Sequence, residues 1–394
     1  MINNSYLKDI VHTHGSPLYL FDYCDLKTRV QEIKKRLGNN VELCYAMKAN
    51  PFLISYLDSE VDKFEACSPG EYEICKKENI SSEKIVFSGV YKQKENFEES
   101  IQDDFSGVYT LESLKQFTIL YDLVKNTDKK VKILPRLTSG NQFGMDEKEV
   151  IQLVSDIKKI PCFELCGVHF FSGTQKKNKE IIKKELDEID EFCKKVYQQT
   201  GTKIETIEYG PGLFVDYFEK QELDYRAVET LNDLLLEKKQ YKFVIELGRY
   251  IAATCGTYLT SVVDVKCNKE KKYCMVDGGI HHITYYGQML GLKVPQVEFI
   301  AKNNQKDRTE EKWTVCGALC TIHDVLLRDY IMPAPSIGDI LVFKNAGAYS
   351  ITEASCLFLS RELPKVILLN SNQDVEVLRE RMSSAWLNSR KMEK

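Results

Sequence analysis

The sequence predicts an α/β protein, a (β/α)8 barrel of the TIM type followed by a mostly β second domain. Strand-length apolar runs alternate with longer charged, amphipathic stretches from about residue 26 to about residue 250. These runs number eight, as a closed parallel barrel requires. After Arg249 the texture changes: helix signals become sparse, and short apolar runs are separated by turn residues.

In order, the barrel strands are expected at Val41 to Met47, Lys63 to Ala66, Ile85 to Ser88, Gly107 to Tyr109, Val131 to Leu137, Leu165 to Phe171, Thr206 to Tyr209 and Phe243 to Leu247. Helix-period stretches such as Lys177 to Gln199 and Gln221 to Lys239 lie between them. In the second domain, Tyr258 to Cys267, Lys272 to Val276, Trp313 to Val315 and Ile340 to Phe343 read as strands. Asn268-Lys269, Asp277-Gly278-Gly279 and Gly338-Asp339 punctuate them as turns. Leu18 to Phe21 is expected to pair with this domain, and the polar segment Ala301 to Glu311 to form an exposed loop. The expected division is therefore 1–25, an N-terminal strand segment packing with the β domain; 26–254, the barrel; and 255–394, the β domain.

Composition narrows the function classes. A hydrophobic share of 43% and a charged share of 28% are ordinary for a globular protein of 394 residues. A net charge of −4 argues against a nucleic-acid partner, and no apolar run is long enough to span a bilayer. Met1-Ile2-Asn3-Asn4-Ser5 lacks signal-peptide features, so a cytoplasmic protein is expected. The thirteen cysteines follow no disulfide framework, and neither they nor the six histidines show a metal-ligand spacing, so no metal is expected.

The chemistry gathers at strand ends, where a barrel of this type places its active site. Lys48 closes the first strand in Tyr45-Ala46-Met47-Lys48-Ala49-Asn50-Pro51. Gly210-Pro211-Gly212 follows the seventh strand, and Glu246-Leu247-Gly248-Arg249 closes the eighth. Loops after strands seven and eight commonly hold phosphate, and glycines let backbone N–H groups approach it. A lysine in the barrel mouth can form a Schiff base, and a carboxylate can keep a pyridinium nitrogen protonated. Together these residues point to pyridoxal 5'-phosphate. His169 and Phe171 project to one side of their strand, where an aromatic ring could stack on the cofactor. Each feature has a plainer reading: a solvated lysine, a simple turn, a structural ion pair of Glu246 with Arg249, and barrel core for Phe171. In the β domain, Cys316-Gly317-Ala318-Leu319-Cys320-Thr321-Ile322-His323-Asp324 is an unusual cluster, though most cysteines are small buried hydrophobes, and Gly347-Ala348-Tyr349 could place a phenol near a phosphate.

Taken in this order, the motifs resemble the fold-type III (alanine racemase-like) pyridoxal phosphate decarboxylases, the group of diaminopimelate, ornithine and arginine decarboxylases. The resemblance runs from about Pro17 to about Pro364. It implies that Lys48 is the Schiff-base lysine and Cys320 the general acid. It places Thr174, Gly210, Gly212, Arg249 and Tyr349 at the phosphate and Glu246 at the pyridinium nitrogen, with His169, Phe171 and Gly248 beside the cofactor. Arg249, Thr321, Asp324 and Tyr349 are expected near the substrate. The family forms a homodimer in which each active site is shared.

The departures from the family are specific. The family's stacking histidine aligns with Phe171, and its Gly-Gly-Gly has become Gly210-Pro211-Gly212. Thr321 follows the cysteine where diaminopimelate decarboxylases carry Glu, and no acidic residue near Tyr285-Tyr286 matches the distal-amine binder of ornithine decarboxylase. Glu246-Leu247-Gly248-Arg249-Tyr250, Asp277-Gly278-Gly279-Ile280-His281-His282, Gln142-Phe143-Gly144 and Leu357-Phe358-Leu359-Ser360 look like the carrier-protein-bound aminoacyl decarboxylase branch and its exosortase-associated relatives. The resemblance thus implies α-decarboxylation of an amino acid or of an aminoacyl group on a carrier protein. Free diaminopimelate or a basic amino acid is the alternative substrate; a racemase or a non-catalytic homologue is a weaker one.

Overall fold

The structure is a computed structural model, which describes residues 2–219, 225–303 and 308–390. Over these residues the chain divides into two units. One comprises residues 2–26, 216–219 and those from 252 onward; the other comprises residues 27–215 and 225–251. Residues 216–219, assigned to the barrel from sequence, group with the β unit instead.

The β unit begins with a helix that the sequence pattern did not predict. The N-terminal segment is not only a strand: helix α1 (Asn4–His14) precedes β1 (Leu18–Asp22). Asn3 caps the helix by accepting from Tyr6 N at 2.9 Å. Leu7 and Ile10 lie on its buried face and join Leu18, Leu20, Leu259, Ile340, Val342 and Ile367 in one apolar cluster. Each fully buried aliphatic of this kind stabilises the fold by about 1.5–3 kcal/mol.

Helix α2 (Tyr23–Leu37) leads into the barrel unit. Its strands are β2 (Val41–Ala46), β3 (Lys63–Ala66), β4 (Ile85–Phe87), β5 (Val108–Leu111), β6 (Val131–Pro135), β7 (Phe163–Leu165), β8 (Val168–Phe171), β9 (Thr206–Gly210) and β10 (Lys242–Leu247). All their pairings are parallel, in the order β7-β6-β5-β4-β3-β2-β10-β9-β8. β8 corresponds to the sixth expected strand, Leu165 to Phe171; β7 starts two residues earlier, meets that range only at Leu165, and is separated from β8 at Cys166-Gly167. Leu137 N donates to His169 O at 2.9 Å and Arg136 bridges His169, which closes the ring from β6 to β8. Eight strand positions result.

Helices α3 (Ile54–Leu57), α4 (Pro69–Lys77), α5 (Lys94–Gln102), α6 (Leu114–Val124), α7 (Glu147–Ile157), α8 (Lys179–Thr200) and α9 (Arg226–Leu236) fill the crossovers. Their ends carry the expected signals. Ser68 caps α4 with Pro69 at its first position, and Gly201 ends α8 in the left-handed conformation. The amphipathic stretch expected over Gln221 to Lys239 contains α9; its residues 221–224 lie outside the described residues.

The short α10 (Arg249–Ala252) returns the chain to the β unit. There follow β11 (Gly256–Asn268), β12 (Lys271–Val276), β13 (Val297–Ile300), β14 (Glu310–Cys316), β15 (Val325–Pro333), β16 (Ile340–Phe343), β17 (Lys365–Leu369) and β18 (Val375–Arg379). The sheet runs β15-β14-β12-β11-β1-β17-β18, with β16 pairing β11 and β13. β1 lies between β11, antiparallel, and β17, parallel. The segment expected as an exposed loop already enters β14 at Glu310, and its residues 304–307 lie outside the described residues.

Gly167 lets the sixth barrel position pass close to the seventh. Its φ is +146°, and a Cβ there would collide with the backbone carbonyl of Thr206. Gly167→Ala should therefore lower stability by about 1–3 kcal/mol. Urea unfolding checks this; an unchanged midpoint would show that the strand can move aside freely.

Candidate active site

The interior of the barrel mixes apolar and acidic side chains at the same strand levels. Cys44, Val86 and Val244 form a small buried apolar cluster. Glu65, His169, Glu208 and Glu246 are also buried, from β3, β8, β9 and β10 respectively. Each occupies an inward position of its strand, with the pairings Ala46 to Glu65, His169 to Glu208 and Glu246 to Cys44 setting their heights.

Lys48 lies in the tight turn Met47–Ala49 directly after β2. Its Nζ donates to Glu65 Oε2 at 2.8 Å and to Cys67 Sγ at 3.4 Å, and stands 5.9 Å from the centroid of the Phe171 ring. Burial, reinforced by Glu65, pushes the Cys67 thiol well above its ordinary range. Phe171 packs against Gly210, where an added Cβ would come within 2.5 Å of Cδ2. That glycine is what leaves room for the ring.

His169 Nε2 lies 3.0 Å from Glu246 Oε1. The distance is that of an ion pair, but the angles are not those of a hydrogen bond. Both ring nitrogens of His169 and Glu246 Oε1 are thus buried without a hydrogen-bond partner. Burial alone would raise Glu246; His169, Glu208 and Lys48 outweigh it and hold the carboxyl below the usual range. Glu208 goes the other way, pushed well up by burial and then by Glu246. One carboxylate oxygen each of Glu65 and Glu246 and one ring nitrogen of His169 lie within 4.8 Å of one another.

Beside it, two loops are zipped together. Lys176 N donates to Gly212 O at 2.8 Å. Gln175 clips the next turn: its Oε1 accepts from Val215 N at 2.8 Å and its Nε2 donates to Val215 O at 3.0 Å. Gly212 has φ +60°, and a Cβ there would run into Gly173 O. Thr174 is exposed at the tip, and Arg249 is buried at the start of α10. Gly248 fits against Ala46 and Ala49, with an added Cβ 3.0 Å from each of two atoms there. The loops therefore bring backbone, a threonine hydroxyl and glycines together, groups of a kind that suit an anion.

The other expected site residues belong to the β unit. Cys320 and Thr321 sit in a tight loop, with Cys320 exposed. Asp324 holds that loop, as its Oδ1 accepts from Ile280 N at 2.9 Å and its Oδ2 from Leu319 N at 2.8 Å. Both oxygens are engaged by backbone, and burial raises the carboxyl despite them. Asp324 is thus a buttress of the cysteine loop. Tyr349 has φ +63° and is half-buried; its carbonyl accepts from Glu353 N at 2.8 Å. His281 and His282 are buried, and burial lowers them to about 4 and about 3. His282 Nε2 lies 2.7 Å from Glu362 O and its Nδ1 3.1 Å from the Tyr258 hydroxyl, so it serves packing.

Sequence reasoning missed Glu65, Cys67 and Glu208. The available signal was a single acid at an inward position of a short apolar strand, in Phe64-Glu65-Ala66 and Ile207-Glu208-Tyr209. It also missed a buried polar group after β4 and β5. Arg136 pairs with Glu112 at 2.7 Å, and Glu112 accepts from Gly144 N at 3.0 Å. Lys92 donates to Gly89 O at 2.7 Å and is lowered by burial to about 8.

Gln175→Ala should cost roughly 1–3 kcal/mol and speed hydrogen exchange at Val215, because a partly buried donor and acceptor lose their partners. Exchange unchanged at Val215 would show that the loops hold without the clip.

Comparison with known proteins agrees with this geometry. The family described as pyridoxal-dependent decarboxylase, pyridoxal binding domain, matches residues 24–253. Over 393 residues the chain is 28% identical to the L-glutamyl-(BtrI acyl-carrier protein) decarboxylase of Niallia circulans, covering 92% of this chain and 91% of the relative. It is 25% identical over 398 residues to a diaminopimelate decarboxylase of Aquifex aeolicus, covering 95% and 91%. Among solved structures, diaminopimelate decarboxylase from M. jannaschii in complex with L-lysine superposes with a TM-score of 0.84 at 23% identity, covering 96% of this chain and 92% of that one. The cofactor named by the family fits what the barrel offers: an orphaned buried carboxylate oxygen on Glu246, a lysine at a strand end, and loops at Gly210 and Gly212 that an added Cβ would fill. The chain belongs to the pyridoxal phosphate-dependent decarboxylase family of fold type III.

Proposed function

We propose that this decarboxylase acts on an aminoacyl group carried by an acyl-carrier protein. Two observations support the reading. The similarity to the carrier-protein glutamyl decarboxylase extends over nearly the whole of both chains. The cysteine loop also lacks a free acid: Thr321 follows Cys320, and the Asp324 carboxylate is spent on backbone N–H groups. A substrate whose far end is a neutral thioester arm needs no ionic partner there. A free α,ω-diamino acid would leave its distal ammonium unpaired, which is costly in a closed site.

In this reading Lys48 offers the amine to which the cofactor is attached. Thr174, Gly210, Gly212, Arg249 and Tyr349 hold the phosphate, and Gly248 allows the close packing of the strand end. Glu246 accepts from the ring nitrogen and keeps it protonated. Phe171 supplies a flat face for the ring, and His169 stands beside Glu246. Bound there, pyridoxal 5'-phosphate supplies the electron sink for the pair left when CO2 departs. Cys320 then delivers one proton to the α-carbon, so that acid plus proton gives amine plus CO2. Arg249, Thr321 and Tyr349 are placed near the substrate.

The test is a panel of carrier-bound glutamate, free glutamate, diaminopimelate, ornithine, lysine and arginine, read as CO2 release with chiral analysis of the products. Carrier-bound glutamate should be turned over and the free amino acids should not, and Lys48→Ala should abolish the reaction. Turnover of free diaminopimelate alone would replace this substrate with the one named for the Aquifex relative. Racemised product without CO2 would exclude decarboxylation.

We further propose a cytoplasmic homodimer with shared active sites. None of the thirteen cysteines is in a disulfide, and no helix among the described residues is long and apolar enough to cross a membrane. If Lys48 and Cys320 of one chain serve different sites, Lys48→Ala and Cys320→Ala should complement each other on subunit exchange. Random mixing makes about half of the dimers mixed, each with one intact site, giving roughly a quarter of wild-type activity. Mixed dimers confirmed by native mass spectrometry but inactive would place both residues in one subunit's site.

A further inference from the structure

Three acids occupy inward positions of the barrel strands. Glu65, Glu208 and Glu246 are all buried there. Lys48 is bound to Glu65 at 2.8 Å, and His169 lies 3.0 Å from Glu246. The positive charge that acts on Glu208 is that of Lys63, whose ammonium forms its ion pair with Glu42 at 3.0 Å. Glu208 is 2% exposed and has Oε1 buried without a partner. It lies on β9 beside Val244 of β10, on the inward face that Glu246 shares two residues later, where the two carboxyls can hydrogen-bond to each other. Two carboxylates in contact inside a protein cannot both remain ionised. The proton must reside on one, and His169 and Lys48 favour the ionised form of Glu246.

We infer that Glu208 is a positioning residue for the cofactor: it carries a proton, donates it as a hydrogen bond to Glu246, and thereby keeps Glu246 an oriented anion for the ring nitrogen. The inference rests on the proposed placement of that nitrogen against Glu246. Neighbouring strands enforce the contact, since Glu208 is in register with His169 on one side and Val244 on the other, two residues before Glu246. The titratable and charged groups that face Glu208 are Cys44 from β2, Lys63 and Glu65 from β3, Cys166 and His169 from the β7–β8 strand, and Glu246 from β10. Among these, Glu246 and Glu65 favour the protonated form and Lys63 opposes it.

The linkage has a definite sign. Folding raises Glu208 above its ordinary value of 4.5, so the folded chain holds a proton that the unfolded chain has lost. The stability this contributes is complete below that value and is lost as pH rises toward the folded one.

The experiment has an arm without cofactor and an arm with it. In apoprotein, the melting temperatures of wild type and Glu208→Gln are compared across pH. The amide keeps a neutral N–H donor but cannot ionise. Wild type should lose stability relative to Glu208→Gln as pH rises from about 5 to 9; parallel curves would overturn the inference. In the second arm, cofactor dissociation constants and the ¹⁵N shift of the labelled ring nitrogen are measured for Glu208→Gln, Glu208→Leu and Glu246→Gln. Glu208→Gln should match wild type in both readouts. Glu208→Leu should bind cofactor about tenfold or more weakly and lower the ring nitrogen's protonated fraction, since it removes a hydrogen bond to a charged group. A Glu208→Leu nitrogen indistinguishable from wild type would overturn the inference. A nitrogen unmoved by Glu246→Gln would instead overturn the placement of Glu246 on which it rests.

Discussion

Charge balance inside the barrel is the constraint on which the site depends. A carboxylate withdrawn from water must find a cation, donors or a proton. Glu65 has the ammonium of Lys48 at 2.8 Å, and Glu246 has His169 at 3.0 Å. Glu112 has Arg136 at 2.7 Å and the N–H of Gly144 at 3.0 Å. Each pairing joins residues from different strands or their loops, so the closed sheet and the ionic network specify one another. A slip of one residue between two strands would turn an acid outward and leave its partner buried alone.

Space is controlled as tightly as charge. Gly210 leaves room for the ring of Phe171, and Gly212 lets the loop after β9 lie against Gly173 and Thr174. Gln175 then fastens that loop at Val215. The combination gives a cradle made largely of backbone, whose N–H groups are oriented by the fold. Pro211 carries no N–H, so the cradle relies on its neighbours on either side.

The β unit achieves its loop by different means. A buried aspartate, Asp324, gathers N–H groups from Ile280 and Leu319, while Ala318 N donates to Gly278 O at 2.7 Å. Gly279 leaves room for this, since an added Cβ would come within 2.6 Å of the Asp324 carboxylate. Cys320 and Thr321 are displayed at the tip of a loop whose base is rigid. The side chain that looked suited to substrate is therefore the one that shapes the display.

Much of this protein was determined by its sequence alone. The eight barrel positions were legible because apolar runs of strand length recur between amphipathic helices, a periodicity set by local backbone geometry. Lys48, the Gly210-Pro211-Gly212 turn and Glu246 were legible because each stands at the end of such a run. The strands β13, β15, β17 and β18 were not. β15 carries Arg328 and Asp329 at mid-strand, and β18 is largely half-buried or exposed, so their pattern is set by the sheet they join. Helix α1 was missed because its apolar face is short and acquires meaning only against Leu18, Leu259 and Ile367. The contact of Glu208 with Glu246, and the capture of Asp324 by its own loop, belonged to the tertiary structure. A side chain's protonation and partners depend on residues distant in the chain that the folded sheet brings alongside.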